Sequence, residues 1–256
     1  MPRLATVLTV AGLVCFGAFY SFQVSFPGYN YRSYVLLAGL AGGLTASVLL
    51  RWEPHEILVI GLTFAVPMAD QLVFSRTLLA RMGESLLFYV LIPLSLLWVL
   101  RRGHIFSDLG IGLGDRRTTL WMTTALLGAA AAMSVAGLMF PEMTRYYPIW
   151  DYGLDVTVAE FAYNELIISG IMFAGEFFYR GLILFTLAKR SRWGAIVFQS
   201  LPYAYLHVGK PAVEVPYSLV AGIVFGWANL RSRSLLPSWI THSVGSALFD
   251  ALVIIF

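Results

Sequence analysis

The chain has 256 residues, of which 59% are hydrophobic and only 12% charged, against about a quarter charged in a soluble domain. That balance excludes a soluble globular protein and describes an all-α, polytopic membrane protein that is nearly all membrane core. The net charge of +3 serves membrane topology rather than nucleic acid, and a single cysteine, Cys15, excludes a disulfide within the chain.

Apolar runs fall at roughly 4–22, 34–50, 56–73, 85–100, 119–140, 158–188, 193–209, 214–230 and 235–256. About 20 residues are needed to cross a bilayer as a helix, so these runs predict eight or nine spans. The first follows Met1-Pro2-Arg3 and has no small-x-small cleavage site after it, so it reads as a retained span rather than a signal peptide. The loop Asp108-Leu-Gly-Ile-Gly-Leu-Gly-Asp has alternate glycines but neither the spacing nor the βαβ surroundings of a dinucleotide fingerprint. It reads as a cytoplasmic loop near the headgroups. The 158–188 run is long enough for a tilted span or one bent near Gly170, and Pro202 predicts a kinked or partly spanning 193–209 segment. Gly39/Gly43, Gly222/Gly226 and the Gly128-Ala-Ala-Ala-Ala-Met133 stretch have small residues where helices approach closely. With nine alternating spans, eleven Lys and Arg face one side and five the other, which predicts a cytoplasmic N-terminus.

Three polar residues stand out inside these runs: Glu176, His207 and His242. A charged side chain at mid-membrane costs about 2.5–3.5 kcal/mol and persists mostly where it pairs or lines a wet cavity. Glu176 and Arg180 are four apart and share a helix face. They read either as a self-neutralising brace or as a base held ionised and oriented by its guanidinium. Glu165 lies eleven residues earlier on a similar face, a second carboxylate at another depth. His207 follows Tyr203 by four, and His242 precedes Ser246 by four and Asp250 by eight. A membrane histidine often only bonds one helix to another; two of them with a carboxylate are the materials of water activation. Distances along the helices allow the three to share one depth. His55 and His104 fall at span ends and look ordinary.

Other chemistries leave little trace. There is no His-Glu-x-x-His, no Gly-x-Ser-x-Gly and no phosphate loop. Zinc held by Glu176, His207 and His242 stays open as an alternative, because two histidines and a carboxylate form a known ligand set. A transporter or proton relay on the same residues also stays open, although no internal repeat supports it.

Three pieces of the chain follow one another in a specific order: Gly175-Glu176-Phe-Phe-Tyr-Arg180, Tyr203-Ala-Tyr-Leu-His207, and Ser234-Leu-Leu-Pro-Ser-Trp-Ile-Thr-His242 continuing to Ser246. The pattern resembles the CAAX-protease and bacteriocin-processing (CPBP) family of glutamic-type intramembrane proteases, over about residues 160–250. That family shows Glu-Glu-x-x-x-Arg, Phe-x-x-x-His and His-x-x-x-Asn/Asp. Here Gly175 replaces the first glutamate, the one usually given the catalytic role; Tyr203 replaces Phe, and Ser246 replaces Asn or Asp. The resemblance implies an endopeptidase in which Glu176 and His207 activate water, His242 stabilises the tetrahedral intermediate, and Arg180, Tyr203 and Ser246 support them. It needs no cofactor or metal. It divides one continuous membrane domain into N-terminal spans (1–157) and a catalytic helix bundle (158–256). The substrate would be a membrane-anchored protein or peptide, the partner the lipid bilayer, and the location a prokaryotic plasma membrane. The alternative is an inactive relative acting as a membrane scaffold or bacteriocin-immunity factor.

Overall fold

The computed structural model describes residues 32–49, 51–70, 73, 77–101, 109–149 and 156–256. The expected first span at 4–22, with Cys15, lies outside the described residues, as does His104. Among the described residues, regular structure is helical apart from one isolated bridge between Val208 and Lys210.

The helices, in chain order, are α1 (Arg32–Leu49), α2 (Pro54–Asp70), α3 (Leu78–Leu100), α4 (Arg116–Gly137), α5 (Pro141–Tyr146), α6 (Val158–Ala188), α7 (Arg192–Tyr205), α8 (Glu214–Ser232) and α9 (Leu236–Ile255). Four of them, α3, α4, α6 and α9, are long and apolar enough to cross a membrane. This corrects the expectation of eight or nine spans for the described residues. The apolar runs do become helices, but α2 has 17 residues and α7 only 14. At about 1.5 Å per residue α7 is some 21 Å long, short of a hydrocarbon core of about 30 Å. α8 carries Glu214, Asn229 and Arg231, which lower its hydropathy.

Their ends follow local chemistry. Asp115 caps α4 by accepting from Thr118 N at 2.8 Å. Thr157 and Glu160 form a reciprocal capping box at the start of α6. Ser191 caps α7 through Gly194 N.

α6 is the central helix. In its most apolar stretch 61% of residues are buried, against 22%, 11% and 22% for α3, α4 and α9. The outer helices instead turn Leu91, Trp98, Val99, Leu120 and Trp121 outward, as a lipid-facing surface should. α6 shows no break at Gly170; it departs from α geometry further on. Phe177–Leu184 is π-helical, and every side chain in it is buried. Such wide turns recur at functional sites, because the extra residue per turn re-aims the side chains beyond it. α7 and α8 approach closely where expected. A Cβ on Gly222 would lie 3.0 Å from Ser200, and one on Gly226 would lie 2.8 Å from Gln199 Nε2. That closeness lets Gln199 donate to Gly222 O at 2.9 Å across the interface. The Gly128–Met133 stretch contributes differently: Ala130 meets Gly245 of α9, while Gly128 faces open space.

Candidate active site

The site starts from Glu176, the last residue before the π-helical turn of α6, with 1% of its surface exposed. Its Oε1 lies 3.2 Å from Arg180 Nη1 and 2.9 Å from His242 Nδ1. Arg180 is fully buried, and its guanidinium carbon lies 3.8 Å from the centroid of the Tyr203 ring. A desolvated charge is stable only when paired. Here the carboxylate supplies the counter-charge and the aromatic face supplies a cation–π contact.

α9 delivers His242, and several contacts fix its rotation. Asn229 of α8 donates to Ser238 Oγ at 2.7 Å and accepts from Ser238 N at 3.3 Å. Trp239 Nε1 donates to Ser169 O at 3.1 Å, and Ser169 and Ser243 share a hydroxyl contact of 2.9 Å. These clamp α9 to α8 and α6 on either side of His242. Because the carboxylate accepts, Nδ1 of His242 carries the ring proton and Nε2 presents a lone pair. The ring keeps partial access, with 28% of its side chain exposed.

His207 follows the end of α7. Its Nδ1 donates to Tyr203 O at 2.9 Å, so this ring also presents Nε2. The Tyr203 ring joins the two imidazoles, with centroids 4.8 Å from His207 and 6.3 Å from His242. His207 and Glu176 are therefore members of one cluster but not direct partners. The carboxylate beside His207 is Glu214, whose Oε1 is 3.8 Å from Nε2. Glu214 accepts from Lys210 Nζ at 2.9 Å and from Tyr147 OH at 2.8 and 2.7 Å.

Sequence reasoning missed Glu214, Tyr147 and Lys210 as members of the site. The available signal was a carboxylate seven residues past His207, at the head of an apolar run. Ser246 lies one turn beyond His242, half-buried and outside the hydrogen-bonded cluster. Glu165, in the first part of α6, and Asp250, late in α9, are buried together away from this cluster. Among the described residues no group of three or more His, Cys, Asp or Glu is arranged to hold a metal. Glu176, His207 and His242 do not converge as zinc ligands would, because Oε1 is committed to His242 and Arg180 while His207 faces Glu214.

Three buried atoms of the cluster, Glu176 Oε2 and Arg180 Nε and Nη2, have no hydrogen-bond partner in the protein. Such atoms are costly unless a polar group from outside, water or substrate, completes them. The position of the missing first glutamate is open as well: a Cβ on Gly175 would meet nothing within 4 Å.

The helices and this buried polar cluster together define an integral membrane protein with a candidate hydrolytic site inside its helix bundle. Residues 158–248 match the family model for type II CAAX prenyl endopeptidase Rce1-like proteins, a membrane protease family. That segment contains all three motifs and bears out the CPBP resemblance there. No curated protein and no solved structure matches the chain.

Proposed function

We propose that the protein is an intramembrane endopeptidase that cleaves a membrane-anchored protein or peptide by direct attack of water. The observation that carries this reading is the Glu176–His242 contact of 2.9 Å, with the same carboxylate oxygen 3.2 Å from Arg180. A carboxylate that holds one ring nitrogen protonated leaves the other as a base, the logic of an acid–imidazole dyad.

In this scheme Nε2 of His242 takes a proton from water as the oxygen bonds to the scissile carbonyl carbon. The resulting tetrahedral oxyanion accepts a hydrogen bond from Nε2 of the second imidazole, His207, in its doubly protonated form, with Glu214 Oε1 at 3.8 Å as the counter-charge. The intermediate collapses with cleavage of the C–N bond, and His242 returns its proton to the leaving amine. Glu176 and Arg180 bear the charge on the imidazole meanwhile. The structure thus favours a different division of labour from the one the family resemblance implies: Glu176 works through His242, and Glu214 stands by His207 as the second carboxylate. The family description makes a prenylated CAAX-type peptide the first substrate to try.

The test is cleavage of a farnesylated CAAX peptide, and of an unprenylated lipid-anchored peptide, by the full chain in liposomes. Turnover should fall by at least about a hundredfold in Glu176→Gln and His242→Ala. Retention of full activity by both variants would overturn the reading.

A second reading, a non-catalytic scaffold or immunity factor, is favoured by Gly175. It is separated by Gly175→Glu, at a position where an added Cβ meets nothing within 4 Å. If the wild type is inert and this variant cleaves, the protein is a silenced relative.

A further inference from the structure

At the end of the bundle where α6 stops and α7 starts, Lys189, Arg192, Arg231 and Arg233 line one cavity of about 480 Å³. The volume falls within the range of small-molecule sites, about 300–1,000 Å³. Phe185 and Leu230 give it an apolar side, and Gly110 completes the wall. The lining therefore pairs four cations with a greasy floor and includes no carboxylate among the described residues.

The wall is held rigidly. The loop before α4 docks on the α8–α9 turn through Leu235 N to Gly110 O at 2.8 Å, Ser234 Oγ to Gly112 O at 2.7 Å and Asp115 N to Ser232 O at 2.8 Å. Two glycines make the docking possible. Gly110 has φ +67°, and a Cβ there would lie 2.5 Å from the Phe185 ring. Gly114 has φ +56°, and a Cβ there would collide with Ser232 O.

The surroundings look like a membrane–water boundary. Ile111, Leu113 and Trp193 are 41%, 53% and 65% exposed at this same end. Exposed tryptophan and aliphatic side chains beside arginines are what the headgroup layer accommodates. Lys210, beyond the far end of α7, is instead tied to Glu214. The basic cavity thus marks the end that the charge rule turns to the cytoplasm.

We propose that this cavity binds the phosphate-bearing headgroup of an anionic membrane lipid, with the arginines on the phosphate and Phe185 and Leu230 against the glycerol and first methylenes. Basic pockets between membrane helices on that side suit such headgroups, and guanidinium forks match phosphate geometry. The site is separate from the Glu176 cluster and stands whether or not the protein is a protease.

The test is native mass spectrometry of the full-length protein in detergent, titrated with phosphatidylglycerol or phosphatidylcholine. The wild type should retain phosphatidylglycerol roughly tenfold more tightly. Arg192→Gln/Arg231→Gln should lose that preference. Arg116→Gln/Arg117→Gln, an equal charge change at the same end but outside the cavity, should keep it. Equal retention of both lipids by the wild type, or an equal loss in the control, overturns the proposal. Inorganic phosphate is the third probe. Displacement of phosphatidylglycerol only at high phosphate supports a headgroup site; phosphate binding without any lipid preference overturns it.

Discussion

Nδ1 of His242 donates to the same carboxylate oxygen of Glu176 that Arg180 approaches, at 2.9 Å and 3.2 Å. One atom thus joins an imidazole from α9 to a guanidinium one helical turn away on α6. The arrangement stores two functions in a single group: it neutralises a buried cation, and it fixes which nitrogen of His242 is free.

These functions separate by substitution. Glu176→Gln leaves Arg180 buried without its counter-charge and should destabilise the protein by about 3–5 kcal/mol. Adding Arg180→Met should restore much of that stability without restoring cleavage. Thermal unfolding in detergent alongside a turnover assay reads both. A single variant as stable as the wild type would show that the ion pair is not what holds this turn.

Each imidazole should matter to the chemistry itself. His242→Ala and His207→Ala are expected to lower turnover by roughly 10²–10⁴-fold, the usual weight of a general acid or base. KM should change little, since neither ring is needed to hold the substrate's membrane anchor. Steady-state kinetics in liposomes decides this, and a change confined to KM would move the residue from chemistry to binding.

Glu214 should act through His207. Glu214→Gln keeps an acceptor for Tyr147 but removes the charge 3.8 Å from Nε2 and the partner of Lys210. Turnover should fall by at least about tenfold, given that a buried charged partner contributes on the order of 1.5–3 kcal/mol. Tyr147→Phe should cost less, because Lys210 still contacts the carboxylate. Equal activity of Glu214→Gln and wild type would make the cluster a structural brace only.

The close approach of α7 and α8 predicts overpacking. Gly222→Val places a branched side chain where the first added carbon already lies 3.0 Å from Ser200. A loss of about 1–3 kcal/mol is expected, as for other insertions into filled interiors. Thermal unfolding measures it, and Gly128→Ala, which faces open space, serves as the neutral comparison.

The helices were legible because apolar length is a local property. The run at 119–140 became Arg116–Gly137, and the run at 235–256 became Leu236–Ile255. The Glu176–Arg180 pair was legible for the same reason: a spacing of four puts side chains together on almost any helical backbone. The π-helical turn that follows them was not, since nothing in Phe177–Leu184 distinguishes it from ordinary helix. The span count was overestimated because polar residues inside α8 and the shortness of α7 count against crossing, while a bare hydrophobic run does not register either.

Composition and near-neighbour spacing decided that this is a helical membrane protein with an acid–guanidinium pair on one helix face. Packing alone decided which imidazole Glu176 holds and that Glu214, with Tyr147 from 67 residues away, stands beside His207. Local pattern sets helix formation and the faces of a single helix, whereas contacts between helices depend on their rotation and crossing, which the turns at Ser238, Ser169 and Gly222 impose only once the bundle has assembled.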